Sequence, residues 1–389
     1  MTEWKKIRLG DIVKTNQSTY SPKEKWEYVN YLDTGNLIMN KIDSIQHIDL
    51  LKEKLPSRAK RKVKHNSILY STVRPNQLHY GIIKEQPKNF LVSTGFVVVD
   101  VDFTVANPNF IYYILTQREI TEHLQAIGEQ SVSAYPSIRP FDIENLEIYL
   151  PSLEEQDKIV SILSTIDRKL RNNSAINNNL FQQAQAIYKS WFIDFEPFDY
   201  VMPSNWSVGK VADIIELHDS KRIPLSSRER AERQGIYPYY GATSIMDYVD
   251  DYLFDGIYLL LAEDGTVSDA NGYPILQYVD GKFWVNNHAH IITGKHNFSV
   301  ELLYTLFSLT NVQSIITGAV QPKISQQNLK NVQIIIPDDK SILEIDSIIQ
   351  PFFAEIRNRK SEIKSLTELR DSLLPKLMSG EIDVSDIEL

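Results

Sequence analysis

The sequence predicts an α+β protein: two similar mixed α/β domains separated by two long helices, the helices packed as an antiparallel coiled coil with pseudo-two-fold symmetry. Three observations predict it. A stretch just past the middle of the 389-residue chain carries an apolar heptad seam. The chain is written twice at one constant offset. The second copy ends in a second heptad seam that supplies the first with a partner.

The organising stretch is 151–198, opening PSLEEQDKIVSILSTIDRKL and closing AIYKSWFIDFEPF. Ile159, Ile166, Asn173, Leu180 and Ile187 recur at heptad spacing, and Leu163, Leu170, Asn177, Ala184 and Trp191 fill the other apolar slot. A seam held over about five heptads is the pattern for helix-on-helix packing. No Pro or Gly falls between Ser152 and Glu196 to break it. About 40 residues at 1.5 Å each make a rod of roughly 60 Å.

The repeat is clearest where PSIRPFDIENLEIYLP, from Pro136, matches PKISQQNLKNVQIIIP, from Pro322. Pro136 falls on Pro322, Ile138 on Ile324, Ile148 on Ile334 and Pro151 on Pro337. The closing alternation in each copy reads as a strand stopped by proline. At the same offset Ile159, Leu163, Ile166 and Leu170 fall on Ile345, Ile349, Phe352 and Ile356, and Ile363, Leu366, Leu373 and Leu377 continue the second seam. The second helix is therefore expected from about Lys340 to Met378, stopped by Gly380, with a kink or break near Pro351 and Pro375.

Upstream the copies match more loosely. Trp4…Leu9-Gly10-Asp11-Ile12 recurs as Trp206…Val211-Ala212-Asp213-Ile214. Residues 68–71 line up with 258–261, and 91–98 with 284–291, each a short buried strand opening into a polar loop. A short helix is expected in each copy, at 110–127 and 299–315. The layout is domain (1–151), helix and linker (152–200), domain (201–337), then helix and acidic tail (338–389). A duplicated scaffold with divergent loops suggests one task performed on two targets. Both seams turn polar near mid-helix. Asn173 or Asn177 is expected to meet Arg359 across the antiparallel pair and fix its register, and Arg370 is a further interruption.

Bulk composition narrows the function. With 42% hydrophobic and 23% charged residues the chain reads as globular. Zero cysteines exclude disulfides and thiolate metal sites and fit a cytoplasmic setting. MTEWKKIRLG lacks the apolar core of a signal peptide, and no apolar run approaches the ~18 residues of a membrane span, so no membrane association is expected. The net charge of −9 means that nucleic-acid binding must rest on local basic patches. The clearest is KEKLPSRAKRKVK, 52–64, although a basic run by itself also describes a solvated surface.

Several stretches in fixed order carry a family likeness: PSLEEQDKIVSILSTID after a strand, YKSWFIDFEPF, NNHAHII, GAVQPKI at 318–324, ELRDSLLPKLMSGEI, and STVRPN at 71–76. In these the chain resembles a specificity subunit of a type I restriction–modification system. The resemblance covers nearly the whole chain. It implies two target-recognition domains, each reading one half of a bipartite double-stranded DNA site. It implies helices that measure the unread spacer and dock two methyltransferase subunits, with two restriction–translocase subunits in the full complex. S-adenosylmethionine, ATP and Mg²⁺ are then expected on those partners, with no cofactor, metal or catalytic residue on this chain. Trp191, Phe192 and LLPKLMSG are candidate docking points.

Residue chemistry adds candidates for DNA contact. Arg58, Lys60, Arg61, Lys62 and Lys64 suit phosphates, which position without specifying. Arg74, Asn76 and Gln77 follow a strand and carry the groups that pair with guanine and adenine edges. In the second copy Lys221, Arg222, Arg228 and Arg230 form a weaker basic stretch. Tyr239, Tyr240, Gly241, Ala242, Thr243 and Ser244 are expected to form a turn-rich loop suited to entering a groove, and Gln321 and Lys323 sit at a loop mouth matching Tyr135 and Ser137. The alternative from another class is a coiled-coil adaptor that binds proteins rather than DNA.

Enzyme signatures are weak. Asn107-Pro108-Asn109-Phe110 resembles an amino-methyltransferase motif but lacks its second proline, and Pro108 is better read as opening a helix. No glycine-rich cofactor loop, Walker A sequence or nucleophile elbow occurs. Asp264, Asp280 and Lys282 echo a metal-dependent nuclease, but Asp-Gly pairs are ordinary turns. His288 and His290 alternate on a strand without a clear third metal ligand.

Overall fold

The computed structural model describes residues 4–131, 135–318 and 320–387. The first three residues and Ala319 of the GAVQPKI stretch lie outside that range. The chain divides into two units, 1–170 with 365–389, and 171–364.

In the first unit an antiparallel sheet has the order Val13–Thr15, Phe96–Val101, Ile68–Ser71, Tyr80–Ile82. Ile68–Ser71 is buried throughout, as a central strand of apolar residues should be. A second sheet has the order Gln46–Asp49, Tyr28–Leu32, Phe90–Ser93, Ala59–Arg61, with one parallel pair in the middle. Lys5–Arg8 and Glu147–Leu150 form a separate two-stranded ribbon. The expected helix at 110–127 is two helices, Pro108–Leu115 and Arg118–Glu129. Asn107 caps the first: its side chain accepts from the Asn109 amide and donates to Asp157 at 2.7 Å. That spends the asparagine of the methyltransferase-like tetrapeptide on structure.

In the second unit one six-stranded sheet runs Ile215–Leu217, Ala289–Gly294, Phe254–Ala262, Leu276–Val285, Gln234–Tyr240, Ile245–Val249. The only parallel pairing in it again joins the strand before the turn to an earlier strand, Tyr239 facing Trp284. Ser207–Lys210 and Gln333–Ile336 form the matching ribbon. The helix expected over 299–315 ends at Ser308, with a short turn at Gln313–Ile315.

The duplication reaches single hydrogen bonds. The Leu9 amide donates to the Leu146 carbonyl at 2.8 Å, and Val211 to Val332 at 2.9 Å. Trp4 Nε1 donates to Glu155 at 3.0 Å, and Trp206 Nε1 to Asp338 at 3.0 Å, so each indole ties its domain to the start of a long helix. One strand alignment needs correction. Phe96 faces Ser71, and its counterpart Ala289 faces Ala262, so Ser71 corresponds to Ala262 rather than Leu261. A one-residue slip exchanges the two faces of a strand, and apolar residues on both faces of 254–262 hide it from pattern reading.

The long helices are Leu153–Phe192 and Asp339–Met378. In the first unit Ile159 and Leu163 share a core with Leu373, Leu377 and Met378. In the second, Ala184, Tyr188 and Phe192 share one with Ile342, Ile345, Ile349, Phe353 and Ile356. Within each unit the early part of one helix meets the late part of the other, an antiparallel pairing. The buried positions depart from a strict heptad: Tyr188 and Phe192 replace Ile187 and Trp191, and Phe353 replaces Phe352. A helix of 3.6 residues per turn drifts about 20° per heptad, so the buried stripe moves over by one residue. The expected break at Pro351 is absent. Pro351 is exposed, so the carbonyl one turn back that loses its partner also faces water. Pro375 lies in the last turn, where its own carbonyl accepts from Ser379 at 3.0 Å. Among the described residues no helix is long and apolar enough to cross a membrane.

Candidate nucleic-acid interface

Each unit contains the same backbone clamp. In the first, the Thr72 amide donates to the Gly95 carbonyl at 2.7 Å, Ile138 donates to Thr72 at 2.8 Å and Arg74 to Pro136 at 2.9 Å. Val73 bridges Ser137. In the second, Glu263 donates to His288 at 2.8 Å, Ile324 to Glu263 at 2.9 Å and Gly265 to Pro322 at 3.0 Å. Asp264 bridges Lys323. The repeated prolines thus stitch the segment before each ribbon strand to the end of each central strand, and the residues between project outward.

In the first clamp Arg74 has a left-handed backbone, φ 48° and ψ 69°. Its guanidinium lies 4.5 Å from the ring centroid of Tyr135, which is 57% exposed. Asn76 and Gln77 follow in an exposed turn, where the Asn76 amide donates to Gln125 at 3.3 Å. The Arg58 carbonyl accepts from Thr94 at 2.8 Å, next to Gly95 of the clamp, so Arg58 joins this loop cluster through the backbone.

The rest of the basic run is unequal. Lys60 is exposed. Lys62 is held by Glu24 and lies over the Trp26 ring. Lys64 approaches Asp100 at 3.6 Å. Arg61 is half-buried, burial lowers its guanidinium pKa, and its Nε is enclosed without a hydrogen-bond partner among the described residues.

In the second unit two of the four predicted basic residues are structural. The Arg222 side chain is 13% exposed and pairs with Glu263 at 2.6 Å while donating to the Ala289 carbonyl at 2.9 Å. Arg230 bonds Asp247 at 3.2 Å and the Leu225 carbonyl at 2.8 Å, stacked on Tyr239. Arg228 is exposed but pairs along its helix with Glu232 at 2.9 Å, and Lys221 is exposed. Tyr239 is buried, its hydroxyl accepting from the Leu225 amide at 2.9 Å, so it belongs to the core rather than the loop. Thr243 and Ser244 are exposed in a turn closed by the Gly241 amide on the Ser244 carbonyl, 2.8 Å. Gln321 and Lys323 are exposed at the clamp, with the Lys323 ammonium 3.1 Å from Glu263.

Behind this clamp is a charged cluster that sequence reading missed. His290, fully buried, places Nδ1 2.6 Å from Asp219 and Nε2 2.8 Å from the Ile324 carbonyl. Asp219 also accepts from Gln326 at 2.6 Å and from the Ile291 amide at 2.9 Å. Burial on its own raises both carboxyl pKa values. For Asp219 the hydrogen bond and charge of His290, then the Ile291 amide and Arg222, outweigh it; for Glu263, Arg222, His290 and Lys323 do. Both carboxyls are held below their ordinary values. Asp219, Glu263 and His290 bring ligand-type atoms within 4.8 Å of one another. Arg222 and Lys323 already fill the cationic role there, and the His290 Nε2 faces a carbonyl, so the donor set does not fit a metal ion. The nuclease-like residues are not gathered: Asp264 bonds His288 at 2.6 Å, and Lys282 lies over Tyr252. The cue that was available for this cluster is the acid following the 254–262 strand, at the place where the first copy has Thr72.

One backbone clamp built twice, each copy presenting its own exposed side chains and each unit holding a stretch of paired long helices, defines a duplicated two-module protein. The family described as "Type I restriction modification DNA specificity domain" matches residues 1–182 and again 203–368, and the chain belongs to it. It is 34% identical over 198 residues to the type I restriction enzyme HindI specificity subunit of Haemophilus influenzae, 51% of this chain and 42% of that one. The alignment thus spans less than half the length of that relative. It is 28% identical over 307 residues to the MjaIX specificity subunit of Methanocaldococcus jannaschii, covering 72% and 70%. The fold is shared with the crystal structure of a type I restriction-modification S subunit from M. genitalium, with TM-score 0.56, 18% identity and 96% of both chains covered.

Proposed function

We propose that this chain is the non-catalytic DNA-specificity subunit of a type I restriction–modification complex. Residues 1–151 and 201–337 each read one half of a bipartite double-stranded site. The helices within 152–200 and 338–389 set the unread spacer and dock two methyltransferase subunits. Two half-sites about one helical turn apart, roughly 34–36 Å, suit a chain with two separate readers. Two restriction–translocase subunits complete the complex in the cytoplasm. S-adenosylmethionine, ATP and Mg²⁺ act on those partners. The observation that carries the reading is the clamp present twice, with Arg74 and Tyr135 at one mouth and Gly265 and Gln321 at the other. The same clamp with different outward chemistry is what two different half-sites require. Arg58, Lys60, Asn76, Gln77, Lys221, Thr243, Ser244 and Gln321, all exposed, together with the half-buried Arg74, are the residues proposed to face DNA.

The test maps methylated sites in cells carrying this subunit with its cognate methyltransferase. Exchanging residues 201–337 for those of a relative changes one half of the methylated sequence and leaves the other. A change in both halves rules out one reader per domain.

A further inference from the structure

Arg74 and Gly265 occupy the same place in the two clamps, each donating its amide to the carbonyl of the repeated proline, Pro136 or Pro322. Both have positive φ, 48° and 80°. Glycine takes that conformation freely, whereas a long L side chain there is strained. A Cβ built on Gly265 meets nothing within 4 Å, so the position opens outward. The second copy therefore shows that the clamp closes without a side chain, and closes with less strain. The first copy keeps an arginine against that preference.

We propose that Arg74 determines specificity in the first half-site by reading a guanine edge in the major groove. This rests on the DNA-reading role proposed above. Arg222 and Arg230 are neutralised by Glu263 and Asp247, whereas Arg74 has no carboxylate partner among the described residues. Its guanidinium lies over the exposed Tyr135 ring, 4.5 Å from the centroid, a cation–π contact that restricts its orientation. A phosphate contact needs only charge. A fixed plane matters for a two-pronged contact, and the arginine fork matches guanine O6 and N7. Gly265 has nothing to offer there, so the second domain reads its half-site with other groups.

The experiment uses the complete methyltransferase complex with wild-type subunit, Arg74→Gly and Arg74→Lys, comparing methylated motifs, methylation rates and thermal midpoints. Arg74→Gly is expected to keep or raise the midpoint, because glycine relieves the backbone. It is expected to lose the requirement for one guanine in the first half-site, with the cognate rate down roughly 10- to 100-fold and the second half-site unchanged. Arg74→Lys should lose the same requirement, because it keeps charge without the fork. A wild-type complex that methylates no bipartite sequence overturns the specificity role and this assignment together. A bipartite wild-type motif left unchanged by Arg74→Gly overturns the assignment alone. A guanine requirement that survives Arg74→Gly while the rate falls assigns the contact to phosphate and overturns base reading.

Discussion

Arg359 donates from Nη1 to Oδ1 of Asn173 at 2.8 Å, and Asn173 donates from Nδ2 to Glu362 at 2.8 Å. Asn173 is fully buried, so its amide bridges two charged partners on the facing helix at one register only. One turn on, the Asn177 Oδ1 is buried with no hydrogen-bond partner among the described residues. The two asparagines of the seam are therefore unequal. Asn173→Ala removes both hydrogen bonds, although Arg359 keeps Glu355 at 2.6 Å, and should cost about 1–3 kcal/mol. At about 2–4 °C per kcal/mol for a unit of this size, that lowers the thermal midpoint visibly. Asn177→Leu should be neutral or stabilising. Calorimetry of both variants decides it, and equal losses at the two positions would remove the distinction.

The buried cluster behind the second clamp sets an acid limit. Asp219 and Glu263 have folded pKa values below their ordinary 3.8 and 4.5, so the unfolded chain binds protons more readily than the folded one. Their contribution is complete above those ordinary values and is lost as pH falls through the lowered ones. Stability of the second unit should hold down to pH ~4.5 and fall steeply below pH ~4. Asp219→Asn removes the carboxylate that holds His290, Gln326 and the Ile291 amide, while Arg222 keeps Glu263, and should cost about 1–3 kcal/mol near neutrality. It should also flatten the acid limb. Urea midpoints measured from pH 3 to 7 test both, and an unchanged acid limb in the variant would show that other groups set it.

The basic run makes a graded prediction about phosphate contacts. Lys60 is exposed, while Lys62 is engaged by Glu24 and Trp26. Lys60→Ala should reduce the slope of log affinity against log salt by about 0.9, the value for one phosphate contact. Lys62→Ala should change it less. Titrations of the assembled complex on its cognate duplex, at several salt concentrations, distinguish them. Binding that does not weaken with salt in the wild type would favour a protein-binding adaptor instead.

The fold was legible where periodicity and repetition spoke together. Matched prolines at 136 and 322 marked the repeated segment that each clamp holds, and the heptads located both long helices. Three things were not legible. Which face of 254–262 lines the core was hidden because nearly every residue along it is apolar. The final turns of the seam were misplaced because a repeat of seven and a helix of 3.6 part company over several turns. The roles of arginines were the hardest, because Arg74, Arg222 and Arg230 look alike in sequence. Only a carboxylate that arrives from a distant strand, such as Glu263 for Arg222, separates a structural cation from an available one.

If the paired helices set the spacer, their length is the ruler, and lengthening it has a calculable result. One heptad adds about 10 Å of rise, or about three base pairs at 3.4 Å each. The insertion must be made in both helices. Lengthening only one would slide Asn173 away from Arg359 and Glu362 and expose the stripe led by Phe353. With both lengthened between the Asn173 contact and the first-unit core, every buried contact in each unit keeps its partner. The methylated motif should then retain both half-sites and gain about three base pairs of unread spacer. Single-helix insertion should lower stability without producing a new spacer. A double insertion that assembles, methylates and keeps the original spacing would show that something other than helix length sets the distance between the half-sites.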